Sequence, residues 1–134
     1  MKITFDKVAS ASVMLYKIKE LNLGVKVEYW CTRNIKILAD DYVFFIKKIN
    51  EIYEKYCFKR EDGEYCKFVD GNVLFNLKED CDVDAFNKDL KDTMTNECEI
   101  TPFILNESVW ESLPNFRIEG CSLDAIDFLL PLAY

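Results

Sequence analysis

The segment spanning residues 27–56, VEYWCTRNIKILADDYVFFIKKINEIYEKY, decides the fold. Apolar side chains fall at Val27, Cys31, Ile35, Leu38, Tyr42, Phe45, Ile49, Ile52 and Tyr56. From Cys31 onward the steps alternate between four and three, which keeps one stripe on one side of an α-helix. A helix over these residues is a rod of ~45 Å, long enough that other elements must pack along it. Its start is the ambiguous part. Val25-Lys26-Val27-Glu28-Tyr29-Trp30 alternates as a strand does, but the helical spacing continues back to Val27.

Working back toward the N-terminus, Lys2–Phe5 alternates and reads as a short opening strand. Asp6 then caps a helix from about Lys7 to Leu21, with Val8, Ala11, Leu15, Ile18 and Leu21 on one face. Asn22-Leu23-Gly24 is a C-terminal stop signal. So short a connection predicts two antiparallel helices, a helical hairpin over residues 1–57.

Beyond Tyr56 the period changes. Glu61-Asp62-Gly63 marks a turn, and Glu64–Val69 alternates. Asp70-Gly71 is the strongest hairpin signal in the chain, so Asn72–Leu77 is the expected partner strand, with a third strand possible over residues 57–60. A short helix over residues 85–94 presents Phe86, Leu90 and Met94 on one face. Glu97–Leu105 reads as an edge strand containing Pro102, Glu107–Leu113 as a helical turn, Phe116–Ile118 as strand-like, and Leu123–Leu130 as a last helix capped by Ser122. The expectation is one α+β domain over residues 1–134, in which an antiparallel helical hairpin with one long helix packs with a small antiparallel sheet and short C-terminal helices.

Composition narrows the function. The chain has 134 residues, no histidine and a formal net charge of −7. Residues 77–134 hold 4 Lys/Arg against 13 Asp/Glu, whereas residues 1–76 hold 13 against 11. This balance disfavours direct nucleic-acid binding, which needs cations on phosphates. Met1–Phe5 runs straight into Asp6 and Lys7 without an apolar region, and no stretch reaches the ~20 apolar residues of a membrane span, so a soluble cytoplasmic protein is expected. Six cysteines at positions 31, 57, 66, 81, 98 and 121 show no Cys-x-x-Cys pair and are read as free thiols.

Motifs for chemistry are weak. Without histidine there is no Ser–His or Cys–His nucleophile pair, and the four glycines are isolated, so no phosphate loop exists. Asp80-x-Asp82-x-Asp84 opens like a calcium loop, but the sixth and twelfth positions are Ala85 and Lys91 where Gly and Glu are required. No cofactor or metal is expected, and the three aspartates are read as helix-capping acids or as an acidic docking face. A second apolar column on the long helix, Trp30, Ile37 and Phe44, is spaced by seven. It is either covered within the domain or is a partner-binding face anchored by Trp30. The cations Lys47, Lys48, Lys55, Lys59 and Arg60 form a helix flank that offers a phosphate or nucleotide pocket as a lesser option.

The opening Met1–Phe5, the two helices, Glu54-Lys55-Tyr56 before Glu61-Asp62-Gly63, Phe86-Asn87-Lys88-Asp89-Leu90 and the ending Ile118–Phe128 together resemble one family. It is an uncharacterised group of small acidic proteins of phages and prophages of Gram-positive bacteria. The resemblance implies a phage setting, in which such proteins commonly bind another protein of host or phage. The expected function is a non-catalytic protein-binding module, an inhibitor of a host defence protein or an accessory factor in phage assembly. The alternative is a protein that sequesters a small, nucleotide-like ligand.

Overall fold

The computed structural model describes residues 1–131. In chain order the elements are β1 (Lys2–Thr4), α1 (Phe5–Lys19), α2 (Val25–Tyr56), β2 (Cys66–Val69), β3 (Asn72–Phe75), α3 (Val83–Thr95), β4 (Glu97–Glu99), α4 (Glu107–Ser112) and a 3-10 helix, Leu123–Leu129. The architecture is α+β. Among the described residues no helix is long and apolar enough to cross a membrane. The chain forms two compact units: residues 1–43 with 96–131 in one, and residues 44–95 in the other.

The long helix is continuous from Val25, so the alternating start is helical. Val27, Trp30 and Cys31 all point inward there and are almost fully buried, and burying three side chains at helical spacing outweighs the strand-like local pattern. Of the nine stripe positions, none is exposed: Val27, Cys31, Leu38, Phe45, Ile49 and Tyr56 are buried, and Ile35, Tyr42 and Ile52 are half-buried.

In the first unit, α1 buries Val8, Ala11, Met14, Leu15 and Ile18 in the same core as Val27, Trp30 and Leu38 of α2. The turn between the two helices uses left-handed backbone at Asn22 (φ 55°) and Gly24 (φ 108°). Helix α1 begins at Phe5, directly after β1, earlier than the capping role predicted for Asp6. Strand β1 pairs antiparallel with β4, Ile3 opposite Cys98, an association between segments far apart in sequence. The 3-10 helix packs on α1 through Ile126, Phe128 and Leu129, and Lys7 ties it down with an ion pair to Asp127 (3.0 Å). The predicted strand Glu97–Leu105 stops at Glu99. Pro102 has no N–H to donate, and residues 100–105 belong to no strand. Residues 116–118 form no strand either.

In the second unit, β2 and β3 form the expected hairpin, closed by Asp70 and Gly71 with φ of 51° and 80°. The third strand over residues 57–60 is reduced to one bridge, Cys57 opposite Leu77. Aromatic rings hold this unit together. Phe75 meets Tyr53 (5.5 Å) and Phe86 (5.0 Å), and Phe86 meets Tyr56 (5.5 Å). The Tyr56 hydroxyl donates to Asp89 (2.7 Å), and that bond, with burial, raises the phenol above its ordinary range.

Candidate protein-binding surfaces

Hairpin geometry decides what the second unit shows to solvent. Cross-strand pairing sets Cys66 opposite Phe75 and Phe68 opposite Val73 on one face, and Lys67 opposite Leu74 and Val69 opposite Asn72 on the other. The first face is anchored at one end, where Phe75 joins the aromatic cluster. Toward the turn it is uncovered: Phe68 is 77% exposed and Val73 42%. On the reverse face Leu74 and Val69 are also exposed. Among the described residues β2 and β3 pair only with each other as strands, so each keeps an unpaired edge. Uncovered apolar side chains on both faces of a free-edged ribbon, two on each, suit another polypeptide, through side chains or through strand addition.

The residues singled out from sequence are dispersed. Trp30 is not a partner anchor: it is 2% exposed, and its indole N–H donates to the Leu129 carbonyl (3.2 Å). The ring is needed inside because residues 100–105 and the 3-10 helix close over the start of α2, an arrangement no local pattern announces. Ile37 is half-buried against the same core, while Phe44 is 48% exposed. The column is therefore buried at one end and about half exposed at the other, where Lys48 lies over the Phe44 ring, and it does not form one face.

Asp80, Asp82 and Asp84 are all exposed. The Asp82 carboxylate accepts the Ala85 N–H (3.1 Å), which caps α3, and no group of three thiol or carboxylate residues among the described residues is arranged to hold a metal ion. The basic flank is largely engaged. Lys48 pairs with Glu51, Arg60 with Asp62, and Lys55 and Lys59 lie over the rings of Tyr56 and Tyr65. A hollow of about 290 Å³ beside Tyr53 and Tyr65 contains Lys59, but Glu54 and Glu64 line it too, and their charge opposes a phosphate.

All six cysteines are free. Burial pushes the Cys31 thiol up to about 12, and burial together with the Asp41 carboxylate pushes Cys98 up to about 11. Both are protonated at neutral pH and are poor nucleophiles.

Sequence reasoning missed two features. The sequence predicts the hairpin but not the exposure of Phe68 and Leu74, because alternation in a two-stranded ribbon does not say which face is covered. The second feature is Asn34, which is fully buried on α2. Its side chain donates to the carbonyls of Trp30 (3.0 Å) and Phe103 (2.8 Å) and accepts the Phe103 N–H (3.0 Å). An asparagine amid the helical stripe was the available signal. Comparison with known protein families, curated proteins and solved structures finds no match.

Proposed function

We propose that this chain is a non-catalytic protein-binding module of phage type, an inhibitor of a host defence protein or an accessory factor in phage assembly, working in the host cytoplasm. The observation that carries the reading is the β2–β3 hairpin, with Phe68, Val69, Val73 and Leu74 uncovered on a ribbon with free edges. The resemblance to small acidic phage proteins supplies the setting, and the absence of histidine together with the raised thiols of Cys31 and Cys98 supports a non-catalytic role. A nucleotide-like ligand is the weaker reading, since Glu54 and Glu64 sit in the hollow that Lys59 borders.

The test is quantitative co-purification from lysates of phage-infected and uninfected Gram-positive cells, comparing wild type with a Phe68→Asp/Leu74→Asp double variant. The reading expects a stoichiometric protein partner that the double variant loses while remaining folded. A partner retained equally by both, or a bound nucleotide in place of a protein, contradicts it.

A further inference from the structure

We propose that the hollow between the start of α2 and residues 103–109 binds a small amphipathic carboxylate, an aromatic or branched acyl group carrying one negative charge. Its volume of about 330 Å³ lies at the lower end of the range of small-molecule sites. The walls are apolar: Tyr29, Trp30, Phe103, Leu105 and Val109 contribute most of them.

These walls are fixed before any ligand arrives. Asn34 clamps the Phe103 backbone through two hydrogen bonds, the Trp30 indole is tied to the Leu129 carbonyl, and the Leu105 N–H donates to that same carbonyl (3.0 Å). The Tyr29 and Phe103 rings meet edge to face at 5.8 Å, and the Arg33 guanidinium lies 4.3 Å from the Phe103 ring centre. A site whose walls need no ordering loses little entropy when it fills.

Charge selects the ligand. Lys26 lines the hollow and forms no ion pair with any described residue. Arg33, two turns further along the helix, has aromatic faces as neighbours and no carboxylate partner among the described residues. In a chain of net charge −7, two cations left without acidic partners beside an apolar hollow are complementary to an anion with an apolar body. The Asn106 side-chain oxygen is occupied by Ser108, which leaves its amide NH₂ as a second donor at the rim. One ammonium and one amide match a single carboxylate. A polyphosphate would place further charges against apolar walls that cannot solvate them.

The experiment is an amide-resolved NMR titration of the whole chain with indole-3-propionate, with indole-3-propanol and ATP as comparison probes. The expected result is saturable shifts at residues 26–30 and 103–109, with binding weakened by about fivefold or more when Lys26→Met removes the charge or the alcohol replaces the acid. Val109→Trp, which fills the hollow, abolishes the shifts. Lys26 is exposed, so Lys26→Met leaves the fold intact and the comparison stands without Val109→Trp. No saturable shift, shifts centred elsewhere, equal affinity of Lys26→Met and wild type, or tighter binding of ATP than of the acid overturns the proposal.

Discussion

Asn34 holds Phe103 by both of its backbone polar groups, accepting its N–H at 3.0 Å and donating to its carbonyl at 2.8 Å. The side chain thus serves residues 100–105 as a neighbouring strand would, satisfying groups that Pro102 and the end of β4 leave without a ladder. Asn34→Leu keeps the volume and removes three hydrogen bonds from a fully buried site. We expect a loss of about 2 kcal/mol in unfolding free energy by urea titration, because Phe103, itself half-buried, keeps a donor and an acceptor without their partner. A loss below about 0.5 kcal/mol contradicts the clamp.

Alkaline stability follows from Cys31, whose thiol rises from an ordinary 9.0 to about 12 in the folded chain. The unfolded chain sheds this proton above pH 9 while the folded chain retains it, so the contribution is complete below pH 9 and is lost as pH climbs toward 12. Stability should fall by roughly 1 kcal/mol per pH unit from this group alone. Urea titrations across this range should show a shallower fall in Cys31→Ala than in wild type. Equal slopes contradict the assignment.

Gly71 occupies left-handed backbone (φ +80°) at the hairpin turn, and nothing lies within 4 Å of where a Cβ would sit. The penalty for a side chain is therefore conformational. Gly71→Ala should cost about 1–2 kcal/mol and raise amide exchange across β2 and β3, with Gly71→Asn costing less.

The three alternating aspartates should separate by role. Asp82→Ala removes the α3 cap and should cost about 1 kcal/mol, whereas Asp80→Ala should stay within about 0.5 kcal/mol. Millimolar calcium should leave the thermal midpoint of wild type unchanged. A calcium-dependent rise lost in either variant contradicts the capping account.

What was legible divides along physical lines. The stripe from Val27 to Tyr56 and the Asp70-Gly71 turn rest on local periodicity and local φ preference, and each predicts its element. The pairing of β1 with β4 does not, because Ile3 and Cys98 lie far apart in sequence and no local pattern names a strand's distant partner. The same reason hides the burial of Trp30, whose cover comes from Leu129 and its neighbours far down the chain. Exposure of Phe68 is illegible for the opposite reason: an apolar residue in an alternating strand is read as core unless the missing second layer is known.

The most direct measurement of the central claim is site-specific photo-crosslinking in cells, with benzoyl-phenylalanine at position 68 and, as a control, at position 16, where Tyr16 is 52% exposed on α1. The account predicts a discrete crosslinked protein species with the probe at 68 and none with it at 16. No crosslink at 68, or the same species from both positions, contradicts the hairpin as the binding surface.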